Sequence, residues 1–361
     1  MNYINAIETA LPDNCFSQET FTDFYLNSTQ DEINRRKIKI VSRRSGISER
    51  YSVIKDFGAQ PRNFELFTKD ASLFPEPDLT TRMRFYKTYA VALSLKAVRR
   101  IKHFETLKHS ITHLITVTCT GMFAPGNDID LINELGLNPS INRMGINFMG
   151  CNAAIIALKQ ADTICKAQPE AKVLVVCTEL CTIHFQKQYN DDYILSNLIF
   201  GDGSAALLIS SSPTGDFAYP VQISRFDSML AYKGYKDMAW QLSETGFMMN
   251  LTSYVSSIIK ESIQPLFESI GLNSKEISHW AIHPGGKKIV DDMVSALNLS
   301  TQDVIHSYNV LRKFGNMSSP TVLFVIKEIL EKQAEAKEGD KVFAAAFGPG
   351  LSIETMQLQY V

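Results

Sequence analysis

One order of signals occurs twice along this chain, and that repetition constrains the fold more than any other feature. The first half holds "THLITVTCTG" (112–121), then "AKVLVVC" (171–177), then "FGDGSAALLIS" (200–210). The second holds "SHWAIHPGG" (278–286), "DKVFAAAF" (340–347) and "FGPGLSIETMQL" (347–358). Short apolar runs alternating with helical stretches indicate an α/β architecture. His113–Thr118, Lys172–Val176 and Ala205–Ile209 read as buried strands. Each half ends with Phe-Gly-x-Gly feeding an apolar strand, where glycine suits a tight turn or close backbone approach. The recurrence predicts a duplicated α/β domain. The join is expected near 211–222, where Ser, Pro and Gly cluster, with one copy over 1–215 and the other over 216–361.

A chain of 361 residues is long enough for two such halves. At 45% hydrophobic and 20% charged it has the balance of an ordinary soluble globular protein. The net charge of -2 supplies no global field for nucleic acid or an anionic membrane, so neither is an expected partner. No basic, apolar leader opens the sequence, and no apolar run approaches the roughly 20 residues that span a bilayer. Six cysteines are too few for a disulfide scaffold at this length, so reduced thiols and a cytoplasmic setting are expected. Cys177 and Cys181 form no CxxC pair, and no metal site is expected. Gly201-Asp202-Gly203 lacks a third glycine and feeds a strand, and GxxxxGK[ST] is absent, so nucleotide-binding loops fit poorly.

Three polar residues stand where chemistry could occur. Cys151 precedes a stretch in which Ala154, Ile155, Leu158 and Ala161 recur at helical spacing. It is therefore expected at a helix N-terminus, whose partial positive charge would favour thiolate. Taken alone, such a cysteine is more often a small buried hydrophobe. His283 ends the strand Trp280-Ala281-Ile282, where a strand breaks into Pro284-Gly285-Gly286. Asn316 lies in "FGNMSSPTVLFVIKEIL", with Ser319 read as a helix cap and Pro320 as the first helical position. By themselves, the histidine would more often be structural and the asparagine a turn residue. Together they fit acyl transfer. A thiolate takes an acyl group from a thioester, and an imidazole and a carboxamide stabilise the enolate left when a malonyl thioester loses CO2. A papain-type Cys/His/Asn hydrolase fits the residue types, but its local cysteine signature is absent.

At these residues the chain resembles the type III polyketide synthases, the chalcone and stilbene synthase family of the thiolase superfold. The resemblance runs from about residue 35 to the C-terminus through "HLITVTCTGMFAPGNDIDLINELGL", "MGCNAAIIAL", "AKVLVVCTEL", "IFGDGSAALLI", "WAIHPGGKKIVD", "FGNMSS" and "AFGPGLSIETMQL". It implies a duplicated, five-layered αβαβα fold and a homodimer. It also implies condensation of an acyl-CoA starter with malonyl-CoA, both substrates, and no cofactor. By position, Cys151 would carry the acyl chain, His283 would activate the thiol and, with Asn316, polarise the malonyl thioester, and Phe200 would orient the malonyl group. Lys37 and Arg44 would meet coenzyme A, with Gly285 and Gly286 beside them. Ile40 replaces a third basic residue, for which Lys39 and Arg43 would compensate, and Lys287 and Lys288 would add charge at the entrance.

The implied cavity departs from plant members. Cys119 and His184 stand where those often have threonines, Met249 replaces a phenylalanine, Ser318 is kept, and Trp240 occupies a position that is glycine in chalcone-forming enzymes. A tryptophan there predicts few extensions or a compact product (a pyrone, resorcinol or related ring, or a short chain), unless Cys119 opens a side tunnel. Ala124 replaces a bulkier residue in the dimer-contact loop. Three other readings stay open: a ketoacyl synthase III-type enzyme using an acyl carrier protein, a hydroxymethylglutaryl-CoA synthase-like enzyme lacking an evident base glutamate, and a non-catalytic binding protein on the same fold.

Overall fold

The two copies of the repeat meet at the centre of one nine-stranded sheet. A computed structural model describes residues 1–361 apart from 216, 218, 253 and 332–335. The strands of this sheet are β1 (Asn2–Ala10), β2 (His113–Thr118), β3 (Asn142–Asn147), β4 (Lys172–Leu180), β5 (Asp202–Ser210), β6 (Val221–Leu230), β7 (His279–Ile282), β8 (Lys341–Gly348) and β9 (Ser352–Tyr360). Their spatial order is β7-β8-β9-β6-β1-β5-β4-β2-β3. Starting from the antiparallel β1–β6 contact, each half repeats the same pairings outward. β5 and β9 pair antiparallel with β1 and β6, β4 and β8 antiparallel with those, and β2 and β7 parallel with β4 and β8. β3, parallel to β2, has no counterpart among the described residues of the second half. Residues 211–220 connect β5 to β6, and residue 216, on the expected boundary, lies outside the described residues.

The helices that matter here are α1 (Glu32–Arg44), α2 (Leu79–Val98), α3 (Ala153–Ala167), α4 (Val255–Ser269), α5 (Lys287–Leu297) and α6 (Thr321–Glu331). The strands are apolar on both faces and fill three separate cores, as expected when both sides of a sheet are covered. In β4, Val173, Val175 and Cys177 pack with α3 and α6, whereas Leu174 and Val176 pack with α2. In β8, Val342 and Ala344 join the same α3/α6 core, while Phe343 and Ala345 face α4 and α5. The layers therefore run helix, sheet, α3 with α6, sheet, helix. Strands buried on both faces read as continuous apolar runs, which is why β2, β4, β5 and β8 are plain in the sequence.

The repeated Phe-Gly-x-Gly turns each pack on the other half. A Cβ on Gly203 would lie 2.5 Å from Met317 Sδ in the Asn316 loop, and one on Gly348 would lie 2.4 Å from Asn152 Oδ1 beside Cys151. Each turn needs glycine because it approaches the loop that carries the opposite half's catalytic candidate.

At the other end of the sheet, β3 presents mostly exposed side chains. Met122, Ile129, Met144 and Met149 around it are 51%, 40%, 41% and 45% exposed, an apolar area beside the Ala124 loop.

Candidate active site

Cys151 sits in the turn that leads into α3, one residue before Asn152 at the N-cap. Gly150 precedes it at φ +91°, packed against Pro349 of the second half's turn. The helix N-terminus is where the sequence places it, but the thiol is not acidified. Burial pushes the Cys151 thiol up to about 11, and hydrogen bonds from Ser318 and Asn316 act the other way without overcoming it. Burial thus opposes the thiolate that the helix N-terminus favours.

His283 follows β7 and donates its backbone N–H to Ala345 O at 2.8 Å. Its ring is fully buried, neither ring nitrogen has a partner among the described residues, and burial pulls the imidazole down to about 3. Asn316 is held by two backbone bonds to the first half's turn, Gly201 N to Asn316 O and Asn316 N to Ile199 O, both 2.9 Å. Its Nδ2 donates to Gly285 O at 3.2 Å, and its Oδ1 accepts from Ser318 N at 2.8 Å. The carboxamide is thereby fixed, and its second N–H is directed at the Cys151 sulfur. α6 starts at Thr321, one residue later than the sequence suggests. The Ser319 hydroxyl does not cap it but donates to Glu179 Oε1 at 2.6 Å.

Two small cavities meet at the nucleophile. Cys151, Phe200, Trp240 and Met249 line both. The inner one, of about 20 Å³, adds His283, Asn316 and Gly285. The other, of about 70 Å³, adds Cys119, His184 and Ser318. The first has room for roughly one ordered water and the second for a few. Their shared wall comes from a two-stranded hairpin, Met238–Ser243 with Gly246–Leu251, in which Trp240 pairs with Met249. The three catalytic candidates and the six cavity residues named from the sequence thus lie together.

Of the coenzyme A candidates, Gly285 lines the inner cavity and the others lie outside both cavities. Lys37 and Arg44 are exposed on α1, and Lys37 Nζ pairs with Asp191 Oδ1 at 2.7 Å. Gly286 is the N-cap residue of α5, next to Lys287. A Cβ on Gly46 would meet Lys287 Cδ at 3.3 Å, so the end of α1 adjoins this turn. Lys287 and Lys288 are paired with Asp291 and Asp292. Lys39 and Arg43 line one surface groove with Ile33, Arg36 and Ile40, so they stand beside the position that lacks a cation.

Sequence reasoning missed Glu179 and Arg50. Glu179 is fully buried and accepts from Cys119 N (2.8 Å), Thr120 Oγ1 (2.7 Å), Thr118 Oγ1 (3.3 Å) and Ser319 Oγ. Burial raises its pKa. It lines neither cavity, so it braces the loops around Cys151 rather than serving as the base of a hydroxymethylglutaryl-type reaction. Arg50, buried over the Phe21 ring at 3.7 Å, binds Gln18, Asn197 O and Phe200 O and borders the larger cavity. Nothing local marks either residue, because their partners are far away in sequence.

The N-terminal domain profile of the chalcone and stilbene synthases matches residues 1–213, and their C-terminal domain profile matches residues 228–361. The chain belongs to that family. It is a type III polyketide synthase, similar to the alpha-pyrone synthesis polyketide synthase-like Pks18 of Mycobacterium tuberculosis, at 32% identity over 98% of this chain and 90% of that protein. Among solved structures it is similar to PKS-I of the brown alga Ectocarpus siliculosus (TM-score 0.91, 25% identity, covering 100% and 98% of the two chains). It is also similar to the C-terminal type III polyketide synthase domain of Steely1 from Dictyostelium (TM-score 0.89, 27% identity, covering 100% and 99%). Type III polyketide synthases use acyl-CoA and malonyl-CoA and are typically homodimers. Among the described residues of this one, no helix is long and apolar enough to cross a membrane.

Proposed function

We propose that this type III polyketide synthase loads an acyl-CoA starter on Cys151, extends it with malonyl-CoA by decarboxylative Claisen condensation, and releases a compact polyketide. The observation that carries this reading is the position of Cys151 at the junction of two cavities. One holds the polar pair that the enolate needs, and the other is lined by apolar groups suited to the acyl chain.

The buried pair starts neutral, so the thiol proton moves to His283 only as sulfur attacks the thioester carbonyl, and the departing coenzyme A thiolate takes it back. Malonyl-CoA then occupies the inner side, with Phe200 against it. Loss of CO2 places charge on the thioester oxygen. The second N–H of Asn316, turning from the Cys151 sulfur once that sulfur is acylated, and the protonated ring nitrogen of neutral His283, which has no partner among the described residues, stabilise that oxygen in a dry site. The carbanion attacks the acyl carbonyl and Cys151 leaves. The thioester itself is the electron sink, so the step requires no cofactor. The large Trp240 side chain between the cavities favours few extensions. Lys37 and Arg44 suit the coenzyme A phosphates, and delivery of starter by an acyl carrier protein is the alternative route to the same cysteine.

The test is intact-protein and product mass spectrometry with short, aromatic and long acyl-CoAs plus malonyl-CoA. Cys151→Ala is expected to abolish the starter adduct. Asn316→Ala is expected to keep the adduct and slow CO2 release about 10- to 1000-fold. An adduct on Cys151→Ala, or an unchanged decarboxylation rate in Asn316→Ala, overturns the assignment.

A further inference from the structure

His184 lines the larger cavity together with Cys151, and its ring is held on two sides. Nε2 lies 2.7 Å from Thr120 O, and a carbonyl can only accept, so the proton sits on Nε2 and Nδ1 carries a lone pair. The ring stacks on Phe247 at 4.0 Å with planes 15° apart. Both supports are themselves fixed: Thr120 Oγ1 donates to Glu179, and Phe247 O accepts from Gln186 Nε2 at 2.7 Å. Nδ1 is buried and has no partner among the described residues. A buried acceptor left unpaired is costly, and in a substrate cavity its natural partner is a substrate donor.

An alkyl or aryl hydrocarbon offers no donor, and neither does a ketone. A chain built from malonyl units does once a 1,3-dicarbonyl enolises, through its enol hydroxyl. We propose that His184 Nδ1 accepts the enol hydroxyl of the extended chain on Cys151 and thereby directs release through oxygen, as a six-membered lactone. This rests on the function proposed above and adds the substrate class and the mode of release.

The step balances without a co-reactant. The enol oxygen attacks the thioester carbonyl, a C–O bond forms, and the C–S bond to Cys151 breaks. The hydroxyl gives up its proton and the departing sulfur gains one. Burial keeps the Cys151 thiol weakly acidic and the His184 imidazole weakly basic, so the proton ends on sulfur while His184 holds and polarises the O–H.

The experiment compares products of the wild-type enzyme, His184→Leu and His184→Gln from hexanoyl-CoA and malonyl-CoA. Loss of one neutral hydrogen bond is expected to cut the lactone share of released product about fivefold in His184→Leu. Linear or carbon-cyclised products should rise, and His184→Gln, which keeps a side-chain acceptor, should recover most of the lactone. An unchanged lactone share in His184→Leu overturns this inference and leaves the proposed function standing. Absence of any extended product from the wild type overturns both. Independently of how the variants fold, nitrogen NMR of the wild-type imidazole with acetylacetone as the enol probe should shift the Nδ1 signal and leave Nε2 nearly fixed. No shift at Nδ1 overturns the inference.

Discussion

Glu179 shows how a residue can hold an active site together without touching substrate. It links Thr118–Thr120 of the first half to Ser319 of the second, beneath Cys151. Replacing it with leucine would orphan the Cys119 N–H and several hydroxyls, and a loss of about 3 kcal/mol in urea unfolding is expected. Glu179→Gln keeps an acceptor for Cys119, and the Ser319 hydroxyl can turn to accept from the amide, so that variant should stay within about 1 kcal/mol. Equal losses would contradict the bracing role. Cys151, His283 and Asn316 were legible because each stands where a strand or loop hands over to a turn or helix in an ordered series of motifs. Their protonation states were not. A helix N-terminus argues for thiolate, but the desolvation that opposes it depends on Phe200, Trp240 and Met249, which arrive from elsewhere in the chain.

α1 is a case where the pattern was readable and the facing was not. Its sequence shows six cations in 13 residues, capped by Asp31, whose carboxylate accepts from Asn34 N at 2.8 Å. Only packing decides which cations face the entrance. Ile38 is buried, Lys37 reaches the N-terminus of the helix Asp191–Ile199, and Lys39 and Arg43 point into another groove. Lys37→Glu and Arg44→Glu are therefore expected to raise KM for acyl-CoA several-fold, more steeply at low salt. Lys39→Glu and Arg43→Glu should leave it within about twofold. Equal effects from both pairs would place the coenzyme on the other face.

The hairpin over the cavities carries its own expectation. Its turn is tied down by Leu79 N to Glu244 O at 2.8 Å and Arg82 Nε to Thr245 O at 2.6 Å. The hairpin supplies Trp240 and Met249 to the wall beside Cys151, so a ligand that fills this pocket presses on it. Hydrogen exchange across residues 238–251 should change on addition of acyl-CoA while α3 stays protected. Unaltered exchange there would mean that another element opens.

For the whole molecule, the order of repeats correctly announced a duplicated layered fold, because strands covered on both faces write unbroken apolar runs into the sequence. What it could not announce is the crossing of the two copies, each glycine turn seated on the other's catalytic loop, since that depends on contacts between residues about 115 to 200 positions apart. The interior also sets an acid limit. Burial holds the imidazoles of His184 and His283 near 3 in the folded protein, against 6.5 when exposed. Their contribution is complete above about pH 6.5 and is lost as pH falls below it. At pH 5 each costs about 2 kcal/mol relative to pH 7.5. Asp202, raised to about 6 mainly by burial, acts in the opposite direction and returns about 1 kcal/mol over the same interval. The two imidazoles should therefore make urea unfolding easier at pH 5 than at pH 7.5. A flat profile would mean that these rings are hydrated.

Among the described residues the strand β3 has no twin in the second half, so the two margins of the sheet differ. A molecule with matching outer margins at both flanks could add neighbours on either side without limit. Here one margin bears the methionine-rich strip and the other does not, so a symmetric union through that strip would use up both copies' margins and stop at a pair.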